Sequence, residues 1–113
     1  MAATIYHNPR CSTSRKTLEL LRDNGIEPTV VEYLKNPPSR TELETLIRDA
    51  GIAVRDAVRS GEAVYGELNL AGASEDALLE AMAQHPILIQ RPFVVTAKGT
   101  RLARPVDAVR NIL

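Results

Sequence analysis

The sequence predicts an α/β fold, a mixed β-sheet flanked by helices and carrying a helical insertion. Three observations predict it: a strand–helix–strand unit opens the chain, an Ala-, Glu- and Leu-rich stretch fills the middle, and a β-hairpin followed by a helix closes it. An apolar fraction of 44% and a charged fraction of 25% are those of a soluble globular chain. With 113 residues the chain has the length of one domain, 1–113, able to close a core without metals or disulfides.

The elements follow in order. Thr4-Ile5-Tyr6-His7 is β-branched and aromatic and reads as a strand, and Asn8-Pro9 turns it. From about Ser14, Leu18, Leu20 and Leu21 mark a helix that stops at Asn24-Gly25. After Pro28, the run Thr29 to Leu34 reads as a second strand, and right-handed crossover makes the two strands parallel neighbours. Asn36-Pro37-Pro38 breaks the chain. Ser39-Arg40-Thr41-Glu42 then has the form of a capping box, in which each side chain satisfies an orphan backbone N–H of the next helix. Leu43, Leu46 and Ile47 give that helix one apolar face, and Gly51 ends it. Three short helices are expected near 53–59, 63–69 and 75–84. Phe93 to Thr96 reads as a strand, Lys98-Gly99 as a turn, Thr100 to Ala103 as the return strand, and Pro105 to Leu113 as a terminal helix. With the insertion set aside, the order βαβ-α-ββα is the thioredoxin-like one, in the α/β class.

Charge and cysteine usage narrow the function. Lys plus Arg and Asp plus Glu both number 14, a balance that argues against a dedicated nucleic-acid or membrane-surface protein. No apolar run is long enough to span a bilayer, and Met1 to Ile5 lacks the basic and apolar regions of a secretory signal. A single cysteine rules out an intramolecular disulfide and argues against a Cys-based zinc site. His7 and His85 are too far apart in sequence to suggest a metal site. The expected compartment is the reducing cytoplasm, and the default expectation is a monomer.

Cys11 sits between a strand end and a helix start, where free backbone N–H groups and the positive end of the helix dipole favour an anion. Both should lower the thiol pKa from its free value. Ser12, Thr13 and Ser14 offer hydroxyls to the sulfur or to a bound oxyanion, and Arg10, Arg15 and Lys16 supply positive charge. The same location suits a phosphate-like anion. The competing reading is a small buried cysteine that serves only packing. His7, four residues before the thiol, either tunes or deprotonates Cys11 or simply bonds the loop backbone. Because Cys11-Ser12-Thr13-Ser14 is Cys-x-x-Ser, any redox cycle must take its resolving thiol from another molecule.

At Ile5-Tyr6-His7-Asn8-Pro9-Arg10-Cys11-Ser12-x-Ser14-Arg15 the chain resembles the ArsC family of glutaredoxin-linked arsenate reductases. The resemblance continues through Asn24-Gly25-x-Glu27-Pro28, Tyr33-Leu34-x-Asn36-Pro37-Pro38-Ser39-Arg40 and Gly51-Ile52. It resumes at His85-Pro86-Ile87-Leu88-Ile89-x-Arg91-Pro92 and at Gly99-Thr100-Arg101-Leu102-x-Arg104-Pro105. It implies a thioredoxin-like fold with a helical insertion, and a site made of a cysteine thiolate and three arginines, matching Cys11, Arg59, Arg91 and Arg104. Guanidinium forks suit a tetrahedral oxyanion. The resemblance further implies that the Arg91–Pro92 peptide is cis and makes His7 and Ser14 candidates for tuning the thiolate; from their position beside Cys11, Ser12 and Thr13 are expected to join the arginines in anion binding. No bound cofactor or metal is implied; arsenate is the substrate, and glutathione and glutaredoxin supply the electrons. Arg10 stands where some members have a small residue, and Ser12 where others have glycine. Two other readings belong to the same fold: an Spx-type regulator that binds RNA polymerase, and a thiol oxidoreductase acting on another oxyanion or on glutathione mixed disulfides.

Overall fold

Four strands, β1 (Ala3–His7), β2 (Thr29–Glu32), β3 (Phe93–Thr96) and β4 (Gly99–Leu102), form one mixed sheet in the order β2-β1-β3-β4. They are seen in a computed structural model, which describes residues 2–113. β1 runs parallel to β2, with Ile5 opposite Val30, as the crossover rule requires. It runs antiparallel to β3, with Ile5 opposite Val94, and β3 and β4 form the closing hairpin. Gly99 opens β4 with φ of 146°, a conformation that L side chains rarely adopt.

The chain forms two compact units, Met1–Asn36 with Arg91–Leu113, which holds the sheet, and Pro37–Gln90, which is helical. In the sheet unit, α1 (Ser12–Asp23) and a 3₁₀ helix (Val106–Ile112) cover one face of the sheet. Ile5, Val94, Leu21, Ala103, Val109 and Ile112 are wholly buried there. Side chains alternate along a strand, so Ala3, Ile5 and His7 share this covered face, and all three are buried. The register of β1 therefore carries His7 toward α1.

Several elements differ from expectation for identifiable reasons. α1 begins at Ser12, two residues earlier than the apolar pattern suggests, and buries Ser14, Thr17 and Leu21, whereas Leu18 and Leu20 are only partly buried. Hydroxyls can line this face because they find partners: Thr17 Oγ1 donates to the Thr13 carbonyl at 2.8 Å. β2 stops at Glu32 instead of reaching Leu34, because the Glu32 carbonyl accepts from the amides of Lys35 and Asn36, both at 2.9 Å, and turns the chain. β4 starts one residue early, at Gly99, and the terminal helix is 3₁₀ rather than α.

The helical unit contains α2 (Arg40–Ala50), α3 (Ala63–Glu67) and α4 (Glu75–Gln84), with 3₁₀ helices at Val54–Ala57, Leu70–Gly72 and Pro86–Leu88. The capping box is present in both directions: Ser39 Oγ accepts from the Glu42 amide at 3.1 Å, and Glu42 Oε1 accepts from the Ser39 amide at 3.2 Å. Gly51 closes α2 in the left-handed region with φ of 71°. Replacing Ser39 by alanine should cost about 1 kcal/mol of stability, read as a lower urea midpoint with unchanged slope. Arg40 ties α2 to α4 through Asp76 and Glu80, and pairs with Glu44 on its own helix.

The helix expected over 53–59 is only a 3₁₀ turn. Beyond it Val58 makes an isolated antiparallel bridge with Ile89, flanked by Arg59 N–H to Leu88 O at 2.7 Å and Gln90 N–H to Ala57 O at 2.8 Å. Among the described residues no helix is long and apolar enough to cross a membrane.

Candidate active site

The loop between β1 and α1 is a tight turn built by Asn8-Pro9-Arg10-Cys11. The Cys11 amide donates to the Asn8 carbonyl at 3.0 Å, and the Arg10 amide donates to Asn8 Oδ1 at 2.9 Å. Proline in the second position presets its backbone for such a turn, and the asparagine side chain closes it. Arg15 braces the loop from α1 by donating to the Pro9 carbonyl at 2.9 Å. Buried Asn8 is a site component that the sequence reading treated only as a turn signal.

The turn delivers Cys11 to the N-cap of α1, with extended backbone at φ of −92° and ψ of 122°. Its thiol is partly exposed. Burial pushes this thiol up, but the Arg91 guanidinium, through hydrogen bonding and charge, and the amides of Ser14 and Thr13 outweigh that effect. The pKa falls from the ordinary 9.0 to about 7. The cysteine side chain does not complete a cap bond to the first turn of α1 in this arrangement. Catalytic contacts commonly tighten only when substrate is bound.

Arg91 has a further property. Its Nε is buried and has no hydrogen-bond partner among the described residues. A desolvated donor without an acceptor is costly, and an anion seated beside the sulfur would satisfy it. The Arg91–Pro92 peptide is cis, and so is Arg104–Pro105, which the sequence did not flag. Exposed Arg104 donates from Nη1 to the Arg91 carbonyl at 3.1 Å.

His7 acts one residue away from the sulfur. Its Nδ1 lies 2.6 Å from Ser14 Oγ, which also accepts from the Asn8 amide at 3.1 Å. Burial holds the imidazole below its ordinary range, with Arg22 and Arg15 adding to the effect and Glu32 opposing it. The ring is therefore neutral at pH 7, and the positive charge at the thiol comes from Arg91. Ser14 is wholly buried and links the imidazole to the first turn of α1.

The sheet unit thus brings together Cys11, Thr13, Ser14 and Arg91, with His7 on Ser14 and Arg104 on the Arg91 backbone. Ser12 is exposed at the first position of α1. Arg59 belongs to the helical unit, where its Nε pairs with Glu62 at 3.2 Å and its Nη1 reaches Gln90 Oε1 at 3.4 Å. The side chains of this pair are 23% and 25% exposed, more sheltered than the other ion pairs of the described residues, so it is screened least by solvent. Glu62 and Gln90 are neighbours of Arg59 that no local sequence signal identified. Among the described residues no group of three or more His, Cys, Asp or Glu is placed to hold a metal ion.

Known proteins resemble this chain over nearly its whole length. The model of the ArsC family matches residues 6–112. An arsenate reductase of Rhizobium meliloti (strain 1021) is 58% identical over 115 residues, covering 100% of this chain and 82% of that protein. The YfgD protein of Escherichia coli (strain K12) is 46% identical over 112 residues, covering 96% of this chain and 94% of that one. The solved structure of an arsenate reductase from Vibrio cholerae superposes with a TM-score of 0.94 at 48% identity, covering 100% of this chain and 98% of that chain. The mixed four-stranded sheet flanked by helices is thus a thioredoxin-like fold, and the chain belongs to the ArsC family.

Proposed function

We propose that the chain reduces arsenate to arsenite through a covalent adduct on Cys11. The observation that carries this reading is a thiol brought to about 7 by a guanidinium that itself keeps a buried, unmatched donor. Near neutral pH a large fraction of such sulfur is thiolate, the form that attacks, and the spare donor suits the oxyanion that arrives. The relatives named above as arsenate reductases support arsenate as that oxyanion.

In the reaction the Cys11 thiolate attacks arsenic(V), and an arsenate oxygen leaves as water. Glutathione adds to the arsenic and a second water leaves. Glutaredoxin then attacks the glutathione sulfur; the electron pair of the arsenic–sulfur bond stays on arsenic, which becomes arsenic(III), while the two thiols leave as a mixed disulfide. Hydrolysis of the remaining Cys11–arsenic bond releases arsenite and restores the thiol. Arg59 and Arg91 hold the oxyanion and its intermediates, and Arg104 binds anion and assists product release. Ser12 and Thr13 add donors at the head of α1, and His7 and Ser14 tune the thiolate. Electrons come from glutathione and glutaredoxin, with no bound metal or prosthetic group, and the monomeric chain works in the cytoplasm, where both thiols are reduced.

The test is turnover by the purified chain with arsenate, glutathione and glutaredoxin, scored as arsenite formed. Arsenite release that needs all three components is expected. Reduction of glutathione mixed disulfides with no arsenite would overturn the substrate assignment.

A further inference from the structure

Cys11 is the single cysteine, so the reducing thiol must come from outside and dock beside it. A groove of about 280 Å³ on the sheet unit, lined by Thr13, Lys16, Arg104, Pro105 and Val106, is placed to receive it. Thr13 belongs to both features, because its amide is directed at the Cys11 sulfur while the residue lines the groove. A tetrahedral oxyanion bound at the sulfur would leave a groove of this size largely empty.

The lining has a definite chemistry. The ion pairs of the described residues use Arg22, Lys35, Arg40, Arg48, Arg59 and Arg110; neither Lys16 nor Arg104 is among them. Exposed Lys16 and exposed Arg104 thus flank one groove with no carboxylate to neutralise them. Arg104 is held in place by its bond to the Arg91 carbonyl at 3.1 Å. Pro105 and Val106 add an apolar wall suited to methylene groups. Two unmatched cations and an apolar wall, next to a nucleophile that needs a foreign thiol, fit a small thiol carrying a carboxylate.

We propose that this groove binds the carboxylate of the external thiol, and that Lys16 selects anionic thiols over neutral and cationic ones. The proposal rests on the reading of Cys11 as the reacting nucleophile and names the partner of that site. Arg104 shares the carboxylate, whereas Lys16 is not among the groups that shift the Cys11 thiol and can be altered without removing the catalytic groups.

Disulfide exchange tests the groove without arsenate. The Cys11 thiolate attacks a symmetric disulfide, forming a mixed disulfide on Cys11 and releasing one thiolate. Rates are compared for the disulfides of 3-mercaptopropionate (anionic), 2-mercaptoethanol (neutral) and cysteamine (cationic), each divided by the rate with iodoacetamide, a neutral reagent that reports intrinsic sulfur reactivity. The wild type should favour the anionic disulfide. Lys16→Glu should slow it on the order of tenfold and speed the cationic one by a similar factor, with Lys16→Gln between. If Lys16→Glu changes all three disulfides and iodoacetamide by one common factor, Lys16 acts only on the thiol pKa and the groove assignment is overturned. In the arsenate assay Lys16→Gln should raise the KM for glutathione by a larger factor than the KM for arsenate. A wild type with no arsenate turnover that still shows the charge reversal would sink the arsenate reading and uphold the groove.

Discussion

Replacing Arg91 by alanine is expected to lower arsenate turnover by about 10²-fold and to move the acid limb of the pH profile of kcat/KM upward from about 7, toward the ordinary thiol value of 9.0. The direction follows from the balance at the sulfur. Burial raises the Cys11 pKa, and Arg91 opposes it through hydrogen bonding and through charge; the Ser14 and Thr13 amides supply the remainder. Without the guanidinium, the largest lowering influence is gone while burial persists, so the thiol is protonated at neutral pH and the nucleophile is lost to its acid form. The oxyanion also loses the donor whose Nε is buried and unmatched at rest. Arg91→Lys separates these effects. A lysine ammonium restores charge but not the planar fork, so the acid limb should return most of the way toward 7 while turnover stays well below wild type. The measurements are kcat/KM against pH and, independently, the rate of Cys11 alkylation by iodoacetamide against pH. An acid limb that stays near 7 in Arg91→Ala would remove Arg91 from the thiol site.

The sequence made the thiol's position legible and left its partners obscure, and the physical reason is locality. A strand, an Asn-Pro turn and a helix start are encoded by neighbouring residues, and they place Cys11 at an N-cap. Ser39 and Glu42 lie three residues apart and announce their capping box in the same way. Arg91 differs from the other arginines only through tertiary placement, which no periodicity records; the family resemblance singled it out. The buried face of α1 is not legible from its leucines alone, because Ser14 and Thr17 look polar until His7, Asn8 and the Thr13 carbonyl supply partners. The stretch 53–59 reads as helix from its alanines, yet Val58 pairs with Ile89, thirty-one residues later, and such a bridge has no local signature. The terminal segment does carry a local cue to its 3₁₀ form. Val106, Val109 and Ile112 recur every third residue, a spacing that a 3₁₀ helix sets in line, and Val109 and Ile112 are buried.

Cys11→Ser should abolish arsenate reduction while leaving the protein at least as stable as wild type in mildly acidic solution. Loss of activity follows from chemistry: at neutral pH serine offers no thiolate to attack arsenic or to carry the adduct. The stability claim follows from position. Cys11 occupies the N-cap of α1 without completing a side-chain cap bond, and serine is among the best residues there because its oxygen accepts from an orphan amide of the first turn. The gain should be a few tenths to about 1 kcal/mol. A second dependence runs the other way. The thiol titrates at about 7 in the folded chain and ordinarily at 9.0, so between these values the unfolded chain binds the additional proton. The wild type therefore gains stability as pH rises through this window; the contribution is complete above 9 and is lost as pH falls through about 7. The variant has no such term, so its advantage should be greatest below pH 7 and shrink or reverse as pH approaches 9. Urea unfolding of both proteins across that range reads the gap directly. A gap that does not change with pH would mean that the fold does not favour the sulfur anion, and residual arsenite production by the variant would mean that another group attacks arsenic. If both expectations hold, α1 gives up a stabilising cap at its first turn so that the amides there can face an anion that reacts.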